Sequence, residues 1–456
     1  MNREDKVARS LKHNQQAFFT HPLSYVRAER GWTYQDLVDV LARRVGNMAA
    51  RREKAWKWEN WGVVPDIETQ RALADELGVP HAVINALGWP AWLPTGNQLV
   101  VDLPWNVDTC LAALDQTAGA AVLDRRGFLT LSTGALVTVA DRWTEHETPR
   151  LTAALRGGRI DPTLVECFEQ RMPTIRRMQN ALGGGSVRAM ADAELRLVTD
   201  ILLQSSYTQA LGERLYNVAA ELGLTAGWSS FDAGYHSAAE RYFMAALRSS
   251  HAAGNRTIGA NILKCMSLQL VDADRPEEAL ALARAARQGA ADAPPRVVAM
   301  LTARQARAHA VLGQATECEQ LLIAADAAMS RADDHLAPSW AQYFNQAEYC
   351  AQVAACYLLL RRHQATDDWL RQSLELQPAE RRVDRATYLM WRAETVLSLG
   401  DVDHACSLVG EAVPSIATAR SARNRRRLID LHGRLRRHHQ APAFAALDEQ
   451  VRTLIA

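Results

Sequence analysis

The stretch ARAHAVLGQATECEQLLIAA, residues 306–325, sets small side chains at Ala306, Cys318 and Ala325 around a turn at Leu312-Gly313-Gln314. Two antiparallel helices joined by a glycine turn need small residues where their backbones approach, and these three positions supply them. The same register recurs at Ala226, Ala238, Ala245; Ser267, Ala279, Ala286; Ala354, Thr366, Ser373; and Ala393, Ala405, Ala412. The matching turns are Asp232-Ala233-Gly234, Asp274-Arg275-Pro276, Arg361-Arg362-His363 and Leu399-Gly400-Asp401. A helix pair recurring about every forty residues buries its apolar face only against the next pair, so the C-terminal half of the chain is expected to be a helical solenoid.

The spacing resembles that of tetratricopeptide repeats. A solenoid offers a long concave surface and little chemistry, so binding is expected before catalysis. The first helix of each unit lines that surface, and spacing from the turns places Asn261, Lys264, Arg307, Glu348, Thr387, Met390 and Glu394 there. Such a row is either an ordinary solvated face or a groove for a peptide or small ligand, with Asn and Arg gripping a backbone or a carboxylate.

Composition narrows the classes. At 456 residues, with 48% hydrophobic and 23% charged, the chain can bury sizeable cores in two or three domains. The formal net charge of +1 demands neither nucleic acid nor membrane, so any electrostatic footprint must be local. Seven cysteines without a CxxC pair suggest reduced thiols in a cytoplasm, with no disulfide framework or structural zinc. There is no GxGxxG, P-loop, HExxH or GxSxG, so no enzyme is expected, and no cofactor or metal enters the reading.

The local footprint lies at residues 22–88. Pro22 to Glu29 reads as a helix ended by Arg30-Gly31, and Thr33 caps a second one that carries Leu37 and Leu41 inward. Asn47 to Glu59, NMAARREKAWKWE, sets Ala55 and Trp58 on one face and Arg51, Arg52, Lys54 and Lys57 on the others. Gly62-Val63-Val64-Pro65-Asp66 closes it, and Ile67 to Val79 supplies another amphipathic helix.

That string resembles the helix-turn-helix of the Cro/C1 (XRE) repressor family, through Trp58-Glu59 at the end of one helix and the Pro65 to Val79 segment after it. The resemblance implies that Asn47 to Glu59 lies in the major groove of double-stranded DNA. By position it carries over Arg51, Arg52, Lys54 and Lys57 as DNA contacts and Trp56 as an apolar or stacking contact. Arg43 and Arg44 become contacts to the phosphate backbone. Ala55, Trp58, Leu73, Ala74 and Leu77 would be core. Two departures stand out: Thr33 to Glu59 is about seven residues longer than in a compact member, and Tyr34 then Gln35 follow the cap where many members carry Gln first.

Taken whole, the chain resembles actinobacterial XRE regulators with C-terminal tetratricopeptide repeats. Asp124 to Leu129, Leu195 to Asp200 and Ala226 to Phe243 contribute to the likeness. The resemblance implies an all-α, cytoplasmic homodimer controlling differentiation or secondary metabolism, similar in layout to regulators whose repeats bind secreted signalling peptides. An alternative is a repeat scaffold for protein partners in which the helix-turn-helix serves assembly.

The expected divisions are a mobile arm at 1–21, the DNA-binding domain at 22–89, a connector at 90–150 and the repeats at 151–445. The connector interleaves prolines with Trp89, Trp92 and Trp105, which favours an ordered segment over a free tether. Within it, Asp124 to Leu131 and the apolar run to Ala140 look like a twin-arginine export signal. The run is too short to span a bilayer, and a docked helix is the other reading. Gly183-Gly184-Gly185 separates helices expected at Pro173 to Leu182 and Val187 to Leu203. The Arg-rich tract Arg420 to His439 is a solvated terminal helix or a further contact to phosphate or a partner subunit.

Overall fold

The computed structural model describes residues 21–46, 48–77, 81, 84, 89–90, 92–93, 105–118, 133–145, 158–333 and 335–455. The N-terminal arm before His21 and the twin-arginine-like string Asp124 to Leu131 lie outside these residues, whereas the apolar run after it is described from Thr133 on. Every regular element described is helical, and one isolated bridge joins Arg159 to Ser206. The chain divides into two compact units. One comprises Met1–Pro104, Ala120–Leu136 and Tyr235–Arg241; the other comprises Trp105–Gly119, Val137–Gly234 and Tyr242–Ala456.

In the first unit, α1 (Pro22–Arg30), α2 (Tyr34–Val45), α3 (Arg52–Asn60) and α4 (Ile67–Leu77) enclose a small core. Leu23, Val26, Leu37, Leu41, Ala55, Trp58 and Leu73 are buried in it, and Leu77 packs at its edge. Thr33 and Asp36 cap α2 reciprocally: the Asp36 N–H donates to Thr33 Oγ1 at 3.2 Å, and the Thr33 N–H donates to Asp36 Oδ2 at 2.8 Å. Asp66 accepts from the Thr69 N–H at 2.8 Å at the start of α4, and that bond holds the Asp66 carboxyl below its ordinary range. Trp92 is buried here, its Nε1 donating to Gln70 Oε1 at 2.9 Å.

The third helix begins later than its sequence pattern suggests. Gly46, at φ 73, ends α2; Asn47 lies outside the described residues, and Arg51 is extended at φ −106 with no side-chain cap. The described residues 48–51 of this string are therefore non-helical, with the Arg51 N–H donating to Ala49 O at 2.9 Å, and the helix itself stays short.

The second unit is a succession of antiparallel pairs, an arrangement consistent with a solenoid. It contains α5 (Val107–Ala118), most of α6 (Thr133–Glu145), α7 (Pro162–Leu182) and α8 (Gly184–Gln204). The pairs follow: α9 (Gln209–Asp232) with the part of α10 (His236–Ala252) from Tyr242 on, α11 (Arg256–Asp272) with α12 (Pro276–Gly289), and α13 (Pro295–Val311) with α14 (Ala315–Met329). Then come α15 (Gln346–Leu359) with α16 (His363–Leu376), α17 (Arg382–Ser398) with α18 (Val402–Thr418), and α19 (Ala422–Leu435) with α20 (Pro442–Ile455).

None of the fifteen small residues of the repeat register is more than 2% exposed. Where the small residue is polar, its hydroxyl returns to a backbone carbonyl: Ser267 Oγ to Ala279 at 2.7 Å, Ser373 Oγ to Ala347 at 2.8 Å. Burial therefore leaves no hydroxyl unpaired at those two sites. In the first pair α9 and α10 meet at glycines, since a Cβ on Gly227 would come within 2.6 Å of the Phe243 ring.

Each of the five turns within the repeat register places one residue in the left-handed region. Glycine does so at 234, 313 and 400, but Asp274 (φ 58) and Arg361 (φ 57) do so with a side chain attached. An L-residue there costs about 1–2 kcal/mol, and glycine recovers that less its own backbone entropy. Arg361 is exposed, and its side chain takes part in no hydrogen bond or ion pair among the described residues. Arg361→Gly is therefore expected to stabilise the protein by about 0.5–1 kcal/mol, and urea denaturation checks this.

Successive first helices (α9, α11, α13, α15, α17, α19) pack on one another, while the second helices α12, α14, α16 and α18 pack on their partner and on the next first helix. The first helices therefore line the inner, tighter side of the curve. α7 begins at Pro162, where Asp161 accepts from the Thr163 N–H at 2.9 Å, and it runs through Pro173 instead of starting there. Losing one backbone bond at Pro173 is tolerated because Met172 and Ile175 on either side are buried. α7 packs on α9 and on α17, bridging the first and fifth inner helices.

The Gly183-Gly184-Gly185 turn closes the curve. The Arg420 N–H donates to Leu182 O at 2.9 Å and the Gly185 N–H donates to Arg420 O at 3.2 Å. Asp232, at the end of α9, accepts from the Gly184 N–H at 3.0 Å and from Ser421 Oγ at 2.7 Å. The array thus turns back so that its beginning meets the start of α19.

Two tryptophans from the connector region seat in this unit. Trp105 stacks edge-on against His251, with Arg248 4.9 Å from its ring. Trp143 of α6 covers Gly259 and Gly289, where a Cβ would fall 2.5 and 2.2 Å from its ring atoms. The helix that follows the twin-arginine-like string therefore docks through Trp143.

Candidate functional site

α3 presents two opposite faces. Ala55 and Trp58 are buried in the first unit, while Arg51, Arg52, Lys54 and Lys57 are all exposed, with Trp56 39% exposed among them. Trp61 is not among the residues that the sequence pattern singles out, yet it is 65% exposed at the end of α3. It meets Trp56 edge-on at 5.2 Å, and Lys57 Nζ lies 5.5 Å from its ring. An exposed tryptophan beside lysine is the signal that could have found it.

What fixes α3 is Glu59, whose side chain is 5% exposed. Its carboxylate forms an ion pair with Arg27 of α1 and accepts from Tyr34 Oη of α2 at 3.0 Å. The Arg27 guanidinium lies 3.9 Å from the Tyr34 ring centroid and donates to Trp32 O at 3.0 Å. Glu59 therefore ties the C-terminal end of α3 to two other helices. Arg44 is exposed but paired with Glu76 at 2.6 Å, whereas Arg43 only donates to its own helix at Asp39 O, 3.2 Å away.

The inner face of the second unit carries an unusual number of buried polar groups. Asn261, Lys264, Arg307 and Glu348 are each 4–7% exposed. Lys264 Nζ donates to Tyr343 Oη at 2.6 Å. Glu348 accepts from Gln352 Nε2 at 2.8 Å and from Tyr388 Oη, and burial raises its carboxyl above the ordinary range, with Asp384 adding to the effect. The Arg307 guanidinium lies 5.2 Å from the Trp391 ring, with that of Arg427 5.4 Å from the same ring.

The other residues expected in the groove are placed differently. Met390 is fully buried in an apolar cluster with Leu428 and Leu431, because α19 covers that side of α17. Thr387 Oγ1 lies 2.8 Å from Asn424 Oδ1, and Glu394 is paired with Arg434 at 2.7 Å. Arg304, which spacing from the turns does not pick out, is buried one turn from Arg307 on α13. The i, i+3 spacing on an inner helix is signal enough to include it.

The Arg-rich tract does not act as one surface. Arg423 turns inward to Asp272 at 3.3 Å and lies 4.7 Å from the Phe231 ring, and Arg427 faces Trp391, while Arg426, Arg436 and Arg437 are exposed. No described helix is long and apolar enough to cross a membrane. The chain matches no family model, no curated protein and no solved structure.

Proposed function

We propose that this chain is a DNA-binding transcriptional regulator of the Cro/C1 (XRE) type, with α3 as its recognition helix. The observation that carries the reading is the joint exposure of Arg52, Lys54 and Lys57 on a helix whose opposite face anchors it in a compact unit, with Arg51 exposed just before its start. Basic side chains fixed on a short helix can meet phosphates and guanine edges together, which the same residues on a mobile segment would do weakly. Trp56 adds an apolar contact.

In the same reading the paired helices are tetratricopeptide-like repeats that take a ligand or partner on their inner face and join two copies. A single recognition helix buries little surface, and two half-sites add affinity and spacing. A ligand controls such a dimer only by binding its DNA-competent and DNA-incompetent forms with different affinity.

The test begins with pull-down and sequencing of random DNA by the full-length protein at near-physiological salt. Wild type is expected to enrich one motif. The Arg52→Ala, Lys54→Ala double variant is expected to bind it about tenfold to a hundredfold more weakly, with a log–log salt slope flatter by about two. Enrichment of the same motif at equal strength by both proteins would take α3 out of the interface.

A further inference from the structure

Within the curve closed by α7 and the glycine turn, α13 carries two guanidinium groups that the protein itself does not satisfy. Arg304 and Arg307 are each 7% exposed. Arg304 Nε and Nη1 and Arg307 Nε have no hydrogen-bond partner among the described residues. Neither side chain takes part in any ion pair among them. Burial lowers the pKa of Arg304, and burial together with neighbouring Arg304 pushes that of Arg307 down to about 9. The adjacent cation is committed elsewhere, since Lys264 donates to Tyr343. The two carboxylates that act on the pair are committed as well: Glu348 accepts from Tyr388 and Gln352, and Asp272 is paired with Arg423 at 3.3 Å.

A buried, uncompensated guanidinium is costly, and two on successive turns of one helix cost more through mutual repulsion. The cost falls when an anion bridges them, because the guanidinium fork matches a carboxylate or phosphate with paired N–H···O bonds. Beside Arg307 stands a flat apolar wall, the Trp391 ring, 5.2 Å from its guanidinium.

We infer that Arg304 and Arg307 form the binding site for the oxyanion group of a small molecule, a carboxylate or a phosphate. The closed path favours a small ligand over an extended peptide. A peptide running along the inner face meets α7, whose Asn180 Nδ2 donates to Asp384 Oδ2 at 2.6 Å and whose Arg176 Nη2 donates to Ser339 Oγ at 3.1 Å. The inference deepens the ligand-binding half of the proposed function, and its test uses no DNA.

The experiment is thermal unfolding of the full-length protein in citrate and, separately, inorganic phosphate, each against chloride at equal ionic strength. General salting effects stabilise every variant alike, so the readout is the difference between proteins. Wild type is expected to gain on the order of 5 °C at saturation with at least one oxyanion. Citrate alone assigns a carboxylate, phosphate alone a phosphate, and both assign the shared chemistry. Arg304→Met is expected to unfold at a higher temperature than wild type in chloride, because it removes an unpaired buried charge, and to lose the specific gain. Arg304→Lys keeps the charge but not the fork, and should need at least about tenfold more anion for the same gain. Equal responses in wild type, Arg304→Met and Arg304→Lys overturn the site. An oxyanion response without any DNA motif keeps the site and removes the DNA reading; a motif without the response does the reverse.

Discussion

Gly184→Ala is expected to destabilise the second unit by about 3 kcal/mol, lowering its unfolding midpoint by roughly 5–10 °C. The new methyl would stand 2.3 Å from Ser229 O and 2.9 Å from Ser229 C and Cα, all backbone atoms of α9 that no side-chain rotation can clear. Moving α8 away instead would pull the Gly184 N–H from Asp232, which also receives Ser421 Oγ. Asp232 is buried, so losing a donor leaves its carboxylate less compensated. Relief of the clash therefore costs hydrogen bonds at the point where the two ends of the array meet. Gly433→Ala is the matched control: it lies in α19 with nothing within 4 Å of where the new methyl would stand, and alanine should stabilise it by about 0.5–1 kcal/mol. A Gly184→Ala protein as stable as this control would show that the glycine turn does not close the array.

The helix pairs were legible because their signal is steric and local. Ala306, Cys318 and Ala325 are small because two backbones pass there, and that requirement repeats with the unit. The closure was not legible. Asp232 and Ser421 are 189 residues apart, and nothing in either neighbourhood announces the other. Gly183-Gly184-Gly185 reads as an ordinary loop until α9 and Arg420 are seen against it. Inner-face residues were half legible for a related reason. Spacing from a turn tells which way a side chain leaves its helix but not what covers it, so Lys264 and Arg307 were found together with Met390, which α19 turns into core. On α3 the apolar positions fixed which residues point outward. Only tertiary contacts show that Glu59, near the end of that helix, ties it to α1 and α2.

Glu59→Ala is expected to cost about 3 kcal/mol of stability in the first unit and, with it, the orientation of α3. The carboxylate is 5% exposed and its partner Arg27 only 15%, so deletion leaves a largely buried guanidinium against the Tyr34 ring without its anion. Tyr34 Oη loses its acceptor at the same time. Both losses fall on groups that hold α3 to α1 and α2, whereas the exposed basic residues of α3 keep their charges. The variant should accordingly unfold at lower urea and, if α3 reads DNA as proposed, bind it less well through a wider spread of α3 orientations but with an unchanged salt slope, since the exposed basic side chains are kept. Glu53→Ala separates these effects. Glu53 lies 3.6 Å from Arg52 in a pair whose side chains are 63% and 74% exposed, and an ion pair that open to water contributes little. That change should leave urea unfolding within about 0.5 kcal/mol of wild type and, by removing an acidic group beside Arg52, strengthen DNA binding slightly. If Glu59→Ala unfolds at the same urea concentration as Glu53→Ala, the carboxylate is not what fixes α3 in place.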